Sequence, residues 1–210
     1  MKYFFILISM AISFNAQASN PVVEMKTSRG DILLELYPDK APKTVENFIR
    51  YVKSGFYKDT VFHRVVDRFV IQGGGYTSDL HAKPTMAAIP NEATNGLKNE
   101  PGTLAMARTN DPNSATSQFF INVERNLFLN HHKKEADYYG YAVFGKVIKG
   151  MDIVQNISTS PTTASGQFTS DVPVQPIIIE NVSLVAEKAA EQPANTKSHS
   201  NSKKKRKTHG

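Results

Sequence analysis

Short apolar runs and alternation of apolar with polar positions recur along most of the chain, a pattern typical of β-strands. Residues 22–27 and 32–37 are the first two predicted strands, and the turn sequence at 28–31 joins them as a hairpin. Later β-rich runs, separated by turn-rich loops, are predicted at 61–66, 69–72, 103–107, 118–123, 141–147 and 176–185.

Helical spacing replaces the strand pattern in two places. Pro42 suits the first turn of a helix, where its missing N–H costs nothing, and Gly55 follows the last apolar position. One apolar stripe between them is formed by Val45, Phe48, Ile49 and Val52. A second, shorter helix is predicted at 151–157. Many short strands with two helices predict a mainly β fold, a closed or nearly closed antiparallel barrel.

The first residues are organised like a signal peptide. Lys2 precedes an almost wholly apolar run at 3–14, and Ala16-Gln17-Ala18 has the small-x-small form that signal peptidases cut. The apolar run is too short to span a bilayer comfortably. We therefore expect residues 1–18 to be removed, with a retained anchor or a buried N-terminal strand as the alternatives.

Charge is concentrated at the C-terminal end of the chain. The net charge of the 210 residues is +6. Residues 187–210 hold seven Lys or Arg and two Glu, and Lys2 adds one positive charge. The body at 19–186 is therefore neutral, which argues against a general nucleic-acid-binding surface, and it is predicted to fold as one domain. The tail has no bulky apolar residue and is predicted to be disordered.

Five sequence blocks occur in a specific order. Residues 62–66 are Phe-His-Arg-Val-Val, and 69–75 are Phe-Val-Ile-Gln-Gly-Gly-Gly. Residues 102–108 are Gly-Thr-Leu-Ala-Met-Ala-Arg, 117–121 are Ser-Gln-Phe-Phe-Ile, and 141–147 are Tyr-Ala-Val-Phe-Gly-Lys-Val. Together these blocks resemble the cyclophilin family, and the resemblance covers essentially all of the chain between the signal sequence and the tail.

The resemblance implies a closed eight-stranded antiparallel barrel with a helix capping each end and a substrate groove on its outer face. It implies a peptidyl-prolyl cis/trans isomerase that acts on proline-containing polypeptides as a monomer, without metal or other cofactor. The signal sequence and the pair Ala107-Arg108 are most similar to bacterial exported members. We therefore expect a periplasmic protein that assists the folding of exported proteins, and secretion from the cell stays open.

The resemblance also assigns roles to individual residues. Arg64 matches the donor that stabilises the twisted amide, and Gln72 matches the residue that holds Arg64 and contacts a substrate carbonyl. The remaining matched positions are Phe69, Val70, Phe120 and Leu129 in the proline pocket, Ala107, Arg108 and Gln118 along the bound peptide, and Phe128 and Tyr141 at the rim.

Each of these residues also has a simpler interpretation. An arginine in a strand-rich segment, such as Arg64, is commonly a solvated charge or an ion-pair partner. Phe119 and Phe120 are neighbours in a strand, so one should face the core and the other the opposite side, and the resemblance assigns Phe120 outward. His63 is given a structural role as a buried histidine.

The sequence gives little support for cysteine-based sites, a phosphate-binding loop or a histidine metal site. The chain has no cysteine, which excludes disulfides, thiol nucleophiles and cysteine-based metal sites. The glycines at 73–75 lack the Lys-Ser/Thr that follows a phosphate-binding loop, so a tight turn is expected there. The adjacent histidines at 131–132 would point apart, and an exposed loop is expected.

The chain departs from the usual family pattern at four places. Asp67-Arg68 stands where the family commonly has Pro-Gly, which puts the geometry of that turn in question. Val70 replaces a longer Met and should leave a roomier pocket wall. Phe128 replaces a Trp that helps many eukaryotic members to bind cyclosporin, so weak cyclosporin binding is expected. The loop at 130–140 is also longer than in those forms.

Two further functions are alternatives. The groove could serve only to bind proline-containing segments, as a holdase or adaptor, although the presence of both Arg64 and Gln72 favours an enzyme. In the other alternative the main function of the protein lies in its tail, where the five consecutive cations at 203–207 contact a polyanion, either anionic lipid or nucleic acid. That run also resembles a nuclear import signal, or it is simply a solubilising terminus.

Overall fold

A computed structural model describes residues 19–185 of the chain. The predicted signal peptide at 1–18 and the predicted tail at 187–210 lie outside these residues. The strands are β1 (Val22–Thr27), β2 (Gly30–Leu36), β3 (Thr60–Val61), β4 (Arg64–Val66), β5 (Val70–Gly73), β6 (Thr103–Met106), β7 (Phe119–Asn122), β8 (Val143–Lys149), β9 (Thr162–Ser165), β10 (Phe168–Pro173) and β11 (Ile178–Leu184). The α-helices are α1 (Pro42–Lys53) and α2 (Met151–Ser158). None of the helices in this part of the chain combines the length and apolarity needed to cross a bilayer.

Nine strands form one antiparallel sheet in the order β3-β11-β1-β2-β8-β6-β7-β5-β4. The strands at its two edges, β3 and β4, are separated by only Phe62 and His63. Two residues span a short distance, so the sheet is strongly curled. Its edge strands β3 and β4 do not pair with each other, so the barrel that was predicted to be closed is open between them. The mainly β fold with two helices is confirmed. The strand count is nine rather than eight because the strand predicted at 61–66 is interrupted at these two residues.

The concave side of the sheet holds the main hydrophobic core. Alternate residues of β1 and β2, among them Met25 and Leu34, are fully buried there, as the period of two requires. From α1, the predicted stripe supplies Phe48, and α2 supplies Ile157. Because both helices bury their apolar sides in the same core, sheet and helices form a single hydrophobic unit over the described residues.

A second, two-stranded sheet was not predicted from the sequence. Strands β9 and β10 form a hairpin around Gly166 and Gln167. All four residues of β9 are exposed, so the segment has no apolar alternation that would indicate a strand. The hairpin is nevertheless anchored, since Gln167 Nε2 donates to the Leu80 carbonyl at 3.3 Å and Val174 N donates to the Pro161 carbonyl at 2.9 Å.

Candidate active site

A separate apolar cluster lies on the convex side of the sheet. Phe119 is fully buried in the main core, whereas its neighbour Phe120 belongs to this second cluster, as the family resemblance implies. The buried members of the convex cluster are Val70, Ala105, Ala107, Phe120, Leu129 and Val143, with Phe69, Leu97 and Tyr141 packed against them. Phe120 meets the ring of Tyr141 edge-on at 5.5 Å between centroids. The sheet therefore presents apolar side chains to the outside at one place.

Two adjoining cavities open at this cluster. The smaller, about 90 Å³, is lined by nine of the predicted site residues: Arg64, Phe69, Val70, Gln72, Ala107, Arg108, Phe120, Leu129 and Tyr141. The larger, about 310 Å³, shares Arg64, Gln72, Ala107 and Arg108 with it and adds Gln118. Of the predicted set only Phe128 lines neither cavity. The structure thus brings residues from five separate sequence blocks to one surface.

Arg64 stands at the wall between the two cavities. It lies directly opposite Gln72 in the β4–β5 ladder, and its side chain is 37% exposed. Its guanidinium carbon lies 5.7 Å from the centroid of the Phe69 ring. Its Nε lies 3.5 Å from Oδ2 of Asp171, a residue that the sequence analysis does not identify. The guanidinium is therefore held between an aromatic face and a carboxylate, at the edge of the apolar cavity.

The Gln72 side chain is directed toward Gln118. Gln72 Nε2 donates to Gln118 Oε1 at 3.1 Å, and the Gln118 carbonyl accepts a hydrogen bond from the backbone N–H of Ala107 at 3.0 Å. A Cβ on Gly75 would lie 2.5 Å from the Gln118 side chain, so only glycine leaves room for this arrangement. The amide pair links β5 to the residue that precedes β7, and both side chains line the larger cavity.

Arg108 lines both cavities, and its guanidinium also supports the neighbouring loop. Its guanidinium donates to the carbonyl oxygens of Thr109, Asn110, Ala136 and Gly140, at distances of 2.8 to 3.3 Å. It also lies 4.8 Å from the centroid of the Tyr141 ring. The long loop at 130–140 is therefore tied to the segment after β6.

His63 occupies the break between β3 and β4 and forms part of the larger cavity wall. It is 2% exposed and packs against the rings of Tyr76 and Phe168, at 4.6 and 5.4 Å between centroids. Its Nδ1 is buried without a hydrogen-bond partner among the described residues. Burial, reinforced by the charge of Arg64, lowers the pKa of His63 from 6.5 to about 4. The imidazole is therefore neutral near pH 7, which agrees with the structural role expected from the sequence.

The turn before Phe69 keeps a tight geometry without the usual Pro-Gly. Phe69 N donates to the Val66 carbonyl at 3.1 Å, and Arg68 takes a φ of 55°, a value that favours glycine. Phe128, which is 69% exposed, stacks on the Phe69 ring at 5.5 Å and 20°. The sequence departures at Asp67-Arg68 and Phe128 therefore alter the chemistry of the rim while the turn itself is retained.

The two histidines at 131–132 have different surroundings. His131 Nδ1 lies 2.8 Å from the Tyr139 carbonyl oxygen, and His132 is exposed. Within residues 19–185, no three His, Asp or Glu side chains are grouped as metal ligands would be.

The chain matches the family model described as cyclophilin type peptidyl-prolyl cis-trans isomerase/CLD over residues 22–184. A peptidyl-prolyl cis-trans isomerase of Streptomyces antibioticus is 56% identical over 163 residues, which cover 78% of this chain and 98% of that protein. Peptidyl-prolyl cis-trans isomerase B of Escherichia coli is 50% identical over 163 residues, which cover 78% and 99%. The crystal structure of a cyclophilin type isomerase of Cryptosporidium parvum gives a TM-score of 0.64 at 29% identity, covering 80% of this chain and 98% of that one.

These matches extend over nearly the whole described fold, including the strands that carry both cavities. The chain therefore belongs to the cyclophilin type peptidyl-prolyl cis-trans isomerase family.

Proposed function

We propose that this chain catalyses cis/trans rotation of X–Pro peptide bonds in exported proteins, and that Arg64 is the group that stabilises the twisted amide. The observation that carries the proposal is the position of a permanently charged guanidinium in the lining of a small cavity that is walled on one side by Phe69, Phe120 and Leu129. The test is the rate of cis/trans exchange of a proline-containing peptide, measured for the full chain and for Arg64→Ala.

Rotation of a peptide bond must cross a barrier of roughly 18–20 kcal/mol because amide resonance is lost in the twisted state. The prolyl nitrogen then becomes pyramidal and gains a lone pair that can accept a hydrogen bond. A donor placed at that nitrogen lowers the barrier, because it binds the twisted state more strongly than either planar state. Arg64 offers N–H groups without a proton-transfer step, since its guanidinium is always charged.

The two cavities suit the two parts of the substrate. The smaller one is walled by Phe120, Leu129 and Val70, all nearly buried, and it provides an apolar site for the proline ring. The larger one is lined by more polar groups, including Gln118, and it adjoins the first through Arg64. We assign the ring to the smaller cavity and the flanking backbone to the larger. Holding both sides of the bond lets rotation occur at one defined amide.

The predicted signal peptide supports a proposal for the place of action. The proposed mature protein begins at Ser19, after removal of 1–18, and consists of one isomerase domain at 19–186 followed by the basic tail. We assign it to the periplasm, as a monomer that assists folding, with proline-containing segments of other exported proteins as substrates. Slow X–Pro isomerisation can limit folding, so such an enzyme would act on newly exported chains.

Inhibition by cyclosporin is expected to be weak, and Phe128→Trp is expected to tighten it. Phe128 cannot supply the indole N–H donor of the Trp found at this position in many eukaryotic members. The side chain is 69% exposed and already stacks on Phe69, so a larger ring fits without entering the core. The measurement is a cyclosporin titration of isomerase activity for both proteins. If the titration curves coincide, the long loop at 130–140, and not the rim residue, limits inhibition.

Removal of the tail after Ala186 is expected to leave the isomerase activity on a short peptide and the melting temperature unchanged. Residues 187–210 carry a charge of +5 and no bulky apolar side chain, so they have little surface to bury against the body. Cations near an anionic surface contribute about 1 kcal/mol each at most. The truncated protein should therefore lose salt-sensitive retention on anionic lipid vesicles.

A matched control replaces the five cations at 203–207 with glutamine in the full-length chain, which keeps the length of the tail. If both variants lose retention on the anionic vesicles, the positive charge of the tail is responsible for that retention. Loss of peptide turnover or a lower melting temperature after truncation would show that the tail packs on the body and that the domain boundary is misplaced. Equal retention of all three proteins would show that the tail contributes only solubility.

A further inference from the structure

The β9–β10 hairpin brings a carboxylate to the side of the active-site groove. Asp171 Oδ2 lies 3.5 Å from Nε of Arg64, with the two side chains 32% and 37% exposed. We propose that Asp171 is a positioning residue for isomerisation, which fixes the orientation of the Arg64 guanidinium from the Nε side. The inference rests on the proposed role of Arg64 as the donor.

The position of Asp171 is built into the hairpin. Phe168 pairs with Ser165 and Val172 pairs with Thr163, so three residues of β10 oppose a single residue of β9. This bulge contains Asp171, whose φ of 67° is uncommon outside glycine. A bulge of this kind redirects a side chain, and here it directs a carboxylate toward Arg64 on the neighbouring β4.

The hairpin is fixed against the body on both sides of Asp171. Phe168 packs edge-on against Tyr76 at 5.1 Å and lies 5.4 Å from the ring of His63, the residue that precedes Arg64. After Asp171, Val172 is buried. The carboxylate is therefore held by packed neighbours and does not depend on a mobile loop tip for its position.

Contact through Nε leaves the terminal Nη groups for the substrate. Arginine has five N–H donors in a rigid fork, so a partner on one edge sets the direction of the others. On its other side the guanidinium faces the Phe69 ring at 5.7 Å. Without the carboxylate, a side chain that is more than one-third exposed would sample several rotamers, and fewer of them would place a donor at the prolyl nitrogen.

The substitution Asp171→Asn separates charge from backbone geometry. Asparagine tolerates a positive φ as well as aspartate does, so the bulge should be kept. Only the negative charge is removed. We expect kcat to fall about fivefold, the upper range for a partly exposed ion pair, with KM unchanged because the apolar cavity stays intact. Asp152→Asn, at an exposed position on α2, removes the same charge away from the groove and should leave kcat unchanged.

A double-mutant cycle provides the decisive test. Asp171→Asn is introduced into the wild type and into Arg64→Ala, with the enzyme concentration raised so that residual turnover stays above the uncatalysed rate. A loss of kcat in the wild type that disappears in Arg64→Ala supports the proposal. An equal loss in both backgrounds, or no loss in the wild type, overturns the role of Asp171 while leaving that of Arg64 intact. Full activity of Arg64→Ala alone would overturn the donor assignment and, with it, this inference.

Discussion

Arg64→Ala is expected to lower kcat/KM for a proline-containing peptide by about 10²–10³-fold, the range found when one preorganised transition-state donor is removed. The reason is that the guanidinium lines the smaller cavity and lies against both Phe69 and Asp171, which would hold it in place before substrate binds. The proposed interaction with the prolyl nitrogen would exist only while the amide is twisted, so the loss should fall on kcat rather than on peptide binding.

Three measurements make this result specific. The rate of cis/trans exchange gives kcat/KM, peptide affinity is measured separately, and urea unfolding reports stability. Lys58→Ala is the matched control, because Lys58 is an exposed cation in the turn before β3. If this control lost as much activity as Arg64→Ala, general destabilisation would explain both. Unchanged turnover in Arg64→Ala would show that catalysis does not depend on this guanidinium and would overturn its proposed role as donor.

Most of the fold follows from local patterns in the sequence. The first hairpin and both helices show the periodicity of their elements, and their burial patterns match it. The run at 176–185 also forms a strand, β11, but a shift in its register against β1 breaks the alternation. The sequence also predicts an apolar cluster on the convex side, because strand alternation at Phe119-Phe120 places one ring on each side of the sheet. Which ring faces outward came from the family resemblance, since both side chains are equally apolar.

Three features that the sequence did not predict depend on tertiary contacts: the break between β3 and β4, the β9–β10 hairpin, and the contact of Asp171 with Arg64. The break between β3 and β4 lies between the two edges of the curled sheet, and an apolar run at 61–66 carries no local sign of it. The β9–β10 hairpin consists largely of exposed polar residues that hold together by pairing with each other and docking on the body. The Ser165-Gly166-Gln167 sequence is a turn signal that could have indicated it. The contact of Asp171 with Arg64 depends on a bulge that no periodicity reveals.

The protein is expected to lose about 3 kcal/mol of folding stability from His63 alone as the pH falls from 7.5 to 4. The pKa of His63 is lowered to about 4 in the folded protein, from an ordinary value of 6.5. Between these two values the unfolded chain binds a proton that the folded protein does not, so stability falls as the pH falls. The loss begins near pH 6.5, and each pH unit below it costs about 1.4 kcal/mol until the folded pKa is reached.

The measurement is urea unfolding of the wild type and of His63→Phe between pH 7.5 and 4. Phenylalanine is close in size, suits the aromatic neighbours Tyr76 and Phe168, and cannot be protonated. Carboxylates titrate in the same range in both proteins, so the difference between their free energies of unfolding isolates His63. That difference should shift by about 3 kcal/mol in favour of the variant at pH 4, whereas His132→Asn, at an exposed histidine, should follow the wild type throughout. A difference that stays constant with pH would mean that the folded protein accommodates a charged imidazole beside Arg64, and that the wall of the larger cavity opens to water.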